Sequence, residues 1–454
     1  MGYVPHSPAE RAALLREIGA SSIDTLFSTV PPSVLRKEPP PLPPPKSELE
    51  IRKELGAMAA RNATGSSWAS FLGAGLYAHH TPAFVPQLLS RGEFLTAYTP
   101  YQAEVSQGTL TAVYEFQTHM ALLTGMDVAN ASMYEGASAF VEAVLMAERL
   151  SKKRSKVVIS KGVHPEYLTA LCTYLANFEF RVVYVDLGPD GRTDMAALAA
   201  AVDETTFAVA LQSPNIVGAV EEWRAAADAA HARGALAIGA VNEMFSLAVL
   251  VPPGEAGIDI ACGEAASFGI PPSFGGPLVG FLACRDAAKR QIPGRLVGKT
   301  VDANGAPAFC LTLATREQHI RRERATSNIC TNQGLMALAA TMTLSALGKQ
   351  GLRETALQCL SKAEYFKAAL KASAGPCPLA FTGPTFNEFA LRCSVPVAKV
   401  LSALEAKGIL GGVPLGRLAP WEKSWGDLLL VAVTERNSRE EIDLYVATLR
   451  SMGR

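Results

Sequence analysis

The segment KVVISKGVHPEYLTALCTYLANFEFRVVYVD (156–186) decides which fold the sequence predicts. Its two ends, KVVIS (156–160) and RVVYVD (181–186), are short runs rich in β-branched residues, as buried strands are. The stretch between them, EYLTALCTYLANF, has the apolar spacing of a helix. A strand, a helix and a second strand therefore follow one another along the chain.

The same alternation continues after this segment. Further apolar runs of strand length are FAVALQ (207–212), GALAIGAV (234–241) and PLVGFLAC (277–284). Helical stretches lie before and after the first of these runs. The second, VEEWRAAADAAHARG, should end at Gly234 and has one apolar face, formed by Val220, Trp223, Ala227 and Ala230. Apolar strands alternating with amphipathic helices predict an α/β fold with a mainly parallel sheet covered on both faces.

Three regions are expected along the chain. Residues 1–46 form an N-terminal arm, with a helix capped by Ser7 and a proline-rich strap, KEPPPLPPPK, which we interpret as a spacer rather than a ligand for another domain. Residues 47–330 form a large α/β domain, and residues 331–454 form a long helix and a small C-terminal α/β domain. This plan is common among pyridoxal-phosphate enzymes, but many transferases and hydrolases share it.

Composition excludes several classes of function. Lysine plus arginine and aspartate plus glutamate are equal at 42 each, so no basic field is available for nucleic acid. No apolar run is long enough for a bilayer, and the N-terminus lacks a secretion signal. The eight cysteines are scattered singly, without a C-x-x-C pair. We therefore expect a cytoplasmic protein with reduced thiols, no disulfide framework and no metal site.

The most unusual segment is EFLTAYTPYQAEVSQGTL (93–110). It has no regular period, and Pro100 interrupts any helix. Convergent polar groups of this kind can orient a small substrate. The candidates are Tyr98, Tyr101, Gln102, Glu104, Ser106 and Gln107. The alternative, equally supported by the pattern, is a turn whose hydroxyl groups satisfy the local backbone.

A second candidate is NASMYEGASAFVEAVLMAERL (130–150), a loop of small residues that leads into a helix. Gly136 and Ser138 could offer N–H groups to a phosphate at the N-terminus of that helix. The alternative, favoured by the pattern alone, is that Asn130 or Ser132 merely starts the helix.

REQHIRRERATSNICT (316–331) combines five basic side chains with a stretch of hydroxyl and amide groups. Arginines recognise carboxylates and phosphates, but most charge runs are solvated helix faces. The turn formed by Thr326, Ser327 and Asn328 is therefore the better candidate. His164 follows the strand 156–160, where an imidazole could stack on a planar ring, although a lone histidine is more often structural.

Several long motifs together resemble the glycine decarboxylase (P-protein) family, and within it the first subunit of the two-subunit bacterial form. The motifs are FLGAGLYAHHTP, EFLTAYTPYQAEVSQGTL, NASMYEGASA, PGRLVGKTVDANG and REQHIRRERATSNICTNQ. The resemblance runs from about residue 5 to the C-terminus. It implies a fold-type-I pyridoxal-phosphate-dependent transferase architecture. It also implies a component of glycine dehydrogenase (decarboxylating), an oxidoreductase that decarboxylates glycine and passes the aminomethyl group to the lipoyl arm of H-protein.

The resemblance also indicates what this chain lacks. It places Ala266 where the family's catalytic subunit has the lysine that binds the cofactor aldehyde, and no lysine occurs between Lys161 and Lys289. The acidic partner of the pyridinium nitrogen would stand at Gly239 or Ala240, and no carboxylate follows until Glu243. We therefore expect pyridoxal 5′-phosphate to be held by a partner subunit.

The expected assembly pairs this chain with a lysine-bearing second subunit, as an α₂β₂ heterotetramer. The polar residues of 93–110 would line the partner's site from across the interface, together with Thr326, Ser327 and Asn328. Gly136, Ser138 and His164 would belong to a degenerate site of this chain. Two alternatives remain: a purely structural partner, and a stand-alone enzyme that uses Lys161 or Lys289.

Overall fold

The computed structural model describes residues 6–36, 38–64, 67–151, 154–373 and 375–453. They belong to two compact units, residues 1–63 and residues 64–454. The first unit contains two helices, α1 (Pro8–Glu17) and α2 (Glu48–Ala59). Ser7 is the N-cap of α1, as the sequence predicts, and Ser7 and Ser47 each form a capping box with the glutamate three residues later. Neither helix buries any of its residues, so this unit has no apolar core of its own there.

The second unit is built on a seven-stranded sheet. The first strand of the chain, β1 (Ala69–Ser70), lies outside this sheet. The strands of the sheet are β2 (Val128–Ala129), β3 (Lys156–Ser160), β4 (Arg181–Val185), β5 (Thr206–Gln212), β6 (Leu236–Val241), β7 (Ile260–Glu264) and β8 (Gly280–Cys284). The order across the sheet is β2-β8-β7-β6-β5-β3-β4. Strands β3 to β7 run parallel, whereas β8 is antiparallel to both of its neighbours. The predicted mainly parallel sheet is confirmed.

Helices cover both faces of this sheet. The helices of the second unit are α3 (Phe84–Leu89), α4 (Gly92–Leu95), α5 (Gln107–Thr124), α6 (Gly136–Leu150), α7 (Pro165–Leu175), α8 (Met195–Ala201), α9 (Trp223–His231), α10 (Gln318–Arg321), α11 (Gly334–Ser373), α12 (Val397–Glu405), α13 (Leu415–Leu418) and α14 (Arg439–Met452). Alternate residues of the strands enter two different cores. Val158 and Val209 pack on one face, whereas Val157 and Ile159 pack on the other with α6 and α7. Both faces are therefore apolar, as a buried parallel sheet requires.

The remaining strands form small sheets. They are β9 (Leu296–Val301), β10 (Pro307–Thr312), β11 (Glu388–Arg392), β12 (Ile409–Leu410), β13 (Val413–Pro414) and β14 (Leu428–Ala432). The strands β9 and β10 pair as an antiparallel hairpin, which the sequence reading missed. Near the C-terminus, β11, β14 and β13 form a three-stranded antiparallel sheet, and Ser438 and Glu441 form a capping box at the start of α14. The assignment of 47–330 and 331–454 to separate domains stays a prediction.

The structure decides two finer predictions on helix ends. Helix α6 starts at Gly136 with Glu135 as its N-cap, so neither Asn130 nor Ser132 begins it. Helix α9 has His231 as its last residue, and Gly234, at φ 65°, closes the turn that ends it, with the Ala235 N–H donating to the Ala230 carbonyl at 3.0 Å, as the sequence predicts. Gly348, at φ 59°, interrupts α11, because the backbone there leaves the helical region. All eight cysteines are thiols. Within the described residues, no helix combines the length and apolar character that crossing a bilayer needs.

Candidate functional site

The N-terminus of α6 meets the end of β7, and this is where the sequence predicts a phosphate site. The Gly136 N–H donates to Glu264 Oε2 at 3.0 Å. Glu264 Oε1 accepts from the N–H groups of Ala266 at 3.0 Å and Val279 at 2.9 Å. One carboxyl group of the protein therefore accepts from three backbone donors, one of which is the Gly136 N–H at the N-terminus of α6.

A second carboxyl group occupies the next donors of the same helix. Glu135 Oε1 accepts from the Ser138 N–H at 2.7 Å and from the Ser138 hydroxyl at 2.5 Å. Glu264 is 3% exposed, and burial raises its pKa to about 7, although its three N–H donors act in the opposite direction. Gly136 and Ser138 thus lie in the first turn of α6, and their N–H groups are already paired.

The space beside this helix is also filled. A Cβ atom on Gly136 would lie 1.8 Å from the hydroxyl oxygen of Tyr167, so only glycine fits. Tyr167 is buried, and burial raises its pKa well above the usual value. Ala266, where the family resemblance places the lysine position, is 3% exposed. The candidate phosphate site is consequently packed with the chain's own side chains.

His164 forms the N-cap of α7 and is also engaged by the protein. Its Nδ1 accepts from the Glu166 N–H at 3.2 Å, so Nε2 carries the proton and donates to the Ala74 carbonyl at 3.0 Å. Burial lowers its pKa, which keeps the ring neutral. A Cβ on Gly75 would lie 3.6 Å from both His164 and Asn242. The loop that contains Ala74 and Gly75 therefore packs beside the imidazole.

His79 is the centre of a buried charge cluster that the sequence reading did not identify. Its Nε2 lies 2.8 Å from Glu243 Oε2, and its Nδ1 lies 2.8 Å from Glu435 Oε2. Burial opposes a charge on His79, but these carboxylates raise its pKa well above the usual value. The donor atoms of His79, Cys359 and Glu435 lie within 4.8 Å of one another. Because both ring nitrogens already face carboxylates, we interpret the group as an imidazolium held between two anions.

Glu388 gives a stability prediction that depends on pH. It is completely buried, its Oε1 accepts from the Ala74 N–H at 2.7 Å, and its Oε2 accepts from the Tyr77 hydroxyl at 3.0 Å. Burial raises its pKa to about 8. The folded chain therefore keeps the Glu388 proton at pH values where the unfolded chain has released it, because the unfolded carboxyl group titrates near its ordinary pKa. This contribution to the free energy of unfolding falls as the pH rises toward 8.

Glu388→Gln should remove this dependence, because the amide can satisfy the same two partners without ionising. Between pH 5 and pH 9, the wild type should lose about 3–5 kcal/mol of unfolding free energy relative to the variant. Urea unfolding of both proteins at each pH provides the measurement. Parallel stability curves would show that Glu388 is ionised throughout the folded state.

The structure places the predicted polar segment at the surface of the second unit. Tyr98 is 84% exposed and Tyr101 is 59% exposed, and Gln102 and Glu104 are also exposed. Ser106 is the N-cap residue of α5. Two large phenol side chains therefore lie in solvent on one loop.

Gln107 differs from the other candidates because its side chain is committed to the backbone. Its Nε2 donates to the carbonyls of Ala103 and Phe309, and its Oε1 accepts from the Phe309 N–H at 2.9 Å. The amide thereby joins α5 to the β9–β10 hairpin. Its geometry favours a structural role.

Arg295 is the residue of this surface that the sequence reading missed. It is 3% exposed and lies below Tyr101, with its guanidinium carbon 5.7 Å from the ring centre. Its Nη1 donates to the Thr331 hydroxyl at 3.0 Å, and its Nη2 lies 3.5 Å from the Tyr101 hydroxyl. A buried arginine thus joins two segments that are distant in sequence.

A cavity of 260 Å³ lies beside these residues, between the stretches 94–100 and 331–338. Tyr98 and Thr99 line one side, and Thr331 and Asn332 line another. The sequence-predicted turn lies near the same chain segment: Asn328 Oδ1 accepts from Gln318 Nε2 at 3.0 Å, and Ser327 Oγ accepts from the Ile329 N–H at 3.2 Å. The Thr326 N–H donates to the Arg316 carbonyl. These turn residues are bound locally.

The chain is similar to known proteins along nearly its whole length. Residues 1–449 match the family model described as glycine cleavage system P-protein. The chain is 49% identical over 451 residues to the probable glycine dehydrogenase (decarboxylating) subunit 1 of Anaeromyxobacter dehalogenans, covering 99% of this chain and 100% of that protein. A crystal structure of glycine decarboxylase (P-protein) in inhibitor-bound form superposes with a TM-score of 0.89 at 43% identity, over 99% of this chain and 100% of that one.

A more distant structure confirms the fold class alone. The apo cysteine desulfurase of Thermococcus onnurineus superposes with a TM-score of 0.63 at 15% identity, over 91% of this chain and 99% of that one. The predicted fold-type-I architecture is therefore confirmed.

Proposed function

Because the chain belongs to the glycine cleavage system P-protein family, we propose that it is the first subunit of a two-subunit glycine dehydrogenase (decarboxylating). The relatives' name, subunit 1, implies a partner subunit. In the proposed complex, the second subunit holds pyridoxal 5′-phosphate. Together the two subunits decarboxylate glycine and transfer its aminomethyl group to the lipoyl arm of H-protein, as an α₂β₂ heterotetramer in the cytoplasm.

The observation that carries this proposal is the occupied N-terminus of α6. The cofactor's phosphate would need the N–H groups of Gly136 and Ser138, which Glu264 and Glu135 already bind. A phosphate would have to displace both carboxyl groups from these donors, and any negative charge on them would repel it. The residues present therefore do not fit the cofactor, and we assign no chemical step to this site.

The lysines that could rescue a stand-alone enzyme are already paired. Lys161 Nζ lies 2.6 Å from Asp186 and 3.0 Å from Glu422. Lys289 Nζ lies 2.7 Å from Asp286. An amine must lose its proton before it can attack an aldehyde, and neighbouring carboxylates stabilise the protonated form. For Lys161 these hydrogen bonds raise the pKa. Neither lysine suits the role.

Exposed apolar and aromatic side chains support an assembly with a second chain. Tyr98, Tyr101 and Val105 are all more than half exposed on one segment. A chain that leaves this much apolar surface uncovered is best explained by a partner that buries it.

In the complex, we assign the segment 97–107 to the wall of the partner's site. The phenol rings of Tyr98 and Tyr101 would exclude water, which matters because water would protonate the carbanion left by decarboxylation. Their hydroxyl groups would donate hydrogen bonds to the substrate, and Glu104 would add a carboxylate. This division gives the present chain the enclosure of the site and leaves covalent capture to the partner.

Reconstitution tests the proposal. This chain, a lysine-bearing homologue and their mixture are each supplied with cofactor and H-protein, and the exchange of carbon dioxide into glycine is measured. We expect exchange only in the mixture, with a maximum at equal amounts of the two chains. Full exchange by this chain alone would contradict the proposal, and full exchange by the homologue alone would reduce this chain to a scaffold.

A further inference from the structure

We infer that Arg295 is a positioning residue, which fixes Tyr101 and the loop 331–332 at the proposed shared site. This inference rests on the proposed function, because Tyr101 is placed there in the wall of the partner's site. Arg295 directly precedes β9, so the pairing of the hairpin β9–β10 holds its backbone in place. Its carbonyl also accepts from the Ala131 N–H at 2.9 Å.

The positive charge of Arg295 is buried. The Arg295 side chain is 4% exposed, and its nearest carboxylate, Glu317 Oε2, lies 3.8 Å from Nε. Among the described residues, no acceptor forms a hydrogen bond with Nε. A buried guanidinium with so little compensation costs stability. We interpret its retention as the consequence of a task that a neutral side chain cannot perform.

The Arg295 guanidinium connects the loop 331–332 with Tyr101. Its Nη1 donates to Thr331 at 3.0 Å and lies 3.5 Å from Asn332 Oδ1, and its Nη2 reaches the hydroxyl of Tyr101. Asn332 in turn donates to the carbonyl of Ala131 at 3.2 Å. The planar fork of arginine presents N–H donors in both directions at a fixed geometry, whereas the three N–H donors of lysine share one nitrogen atom and cannot reach both partners from the same place.

Few other contacts hold the Tyr101 side chain in place. Its backbone N–H donates to the Thr99 carbonyl at 2.8 Å, and its ring lies 6.1 Å from that of His319. The ring is more than half exposed, so the guanidinium below it supplies the main side-chain contact through the hydroxyl and the π face. Removing the fork would leave the phenol free to change rotamer.

A double-mutant cycle in the assembled complex tests this inference. Arg295→Lys, Tyr101→Ala and the double variant are compared by the kcat and KM of carbon dioxide exchange into glycine. Arg295→Lys should lower kcat about tenfold and change KM less than twofold, because a misplaced wall group acts on the chemical step. In the Tyr101→Ala background, Arg295→Lys should lower kcat by less than about twofold further.

Two further variants separate positioning from folding. Arg285→Lys removes another arginine fork, which binds the carbonyls of Gly125 and Gly254, and should lower the Tm without changing kcat. Thr331→Val breaks the link to the loop without changing the buried charge and leaves the contact of Arg295 with Tyr101 in place, so it should lower kcat less than Arg295→Lys does. Arg295→Gln, which keeps a planar side-chain donor, replaces Arg295→Lys in the cycle if the lysine variant does not assemble.

The outcomes distinguish the inference from the function on which it rests. Independent, multiplicative losses from Arg295→Lys and Tyr101→Ala would overturn the positioning role and leave the proposed function intact. Unchanged exchange in Tyr101→Ala would instead contradict the placement of Tyr101 in the shared site.

Discussion

Tyr101→Ala is expected to lower carbon dioxide exchange into glycine by about 100-fold in the assembled complex, and Tyr101→Phe by about tenfold. The alanine variant removes both the ring that excludes water and the hydroxyl that donates a hydrogen bond, whereas phenylalanine removes only the hydroxyl. Because Tyr101 is 59% exposed in this chain, neither change should disturb the fold. Exchange of labelled carbon dioxide under saturating cofactor is the measurement.

Tyr174→Ala is the matched control for this prediction. Tyr174 lies on α7, is 40% exposed, and belongs to no part of the proposed site. Its replacement should leave exchange unchanged while removing the same kind of side chain. If Tyr101→Ala and the control give the same exchange rate in complexes of equal stability, the segment 97–107 has no part in the reaction.

The sheet could be predicted because its signal is local and physical. The strands β3 and β5 are buried on both faces, so each reads as an uninterrupted apolar run, and the amphipathic helices between them repeat at a different period. The capping boxes at Ser7 and Ser47 are likewise encoded within four residues. Such features need no knowledge of distant contacts.

The hairpin β9–β10 escaped prediction because its burial is mixed. Leu296 and Val297 are buried, whereas the last three residues of β9 are exposed. Neither strand therefore gives the continuous apolar run that identifies the central sheet. Its register depends on pairing across a turn, which single-strand patterns do not contain.

Arg295 could not be recognised because an arginine is normally read as a surface residue. Its partners Tyr101 and Thr331 are 194 and 36 positions away in the sequence. Glu264 did leave a signal: it is the single charged side chain in the glycine-rich stretch 263–281. A lone carboxylate beside so many flexible, unprotected backbone N–H groups indicates a backbone ligand, but only the structure identifies Gly136 among its donors.

Binding of pyridoxal phosphate should differ sharply between this chain alone and the complex with its partner. If Glu264 and Glu135 occupy the helix N-terminus, this chain should bind no pyridoxal phosphate that survives gel filtration, whereas the mixed complex should bind one molecule for each pair of chains. If Ala266 stands at the lysine position, as the family resemblance implies, this chain has no amine there for covalent capture of the cofactor. The difference between the chain alone and the complex should therefore be close to all or none.

Peptide mapping of the cofactor shows directly which subunit carries pyridoxal phosphate. Borohydride reduces the complex and fixes pyridoxal phosphate covalently to the lysine that carries it, and mass spectrometry of the digested chains then identifies that lysine. We expect every modified peptide to come from the partner subunit. A stoichiometric adduct on Lys161, Lys289 or any other lysine of this chain would contradict it.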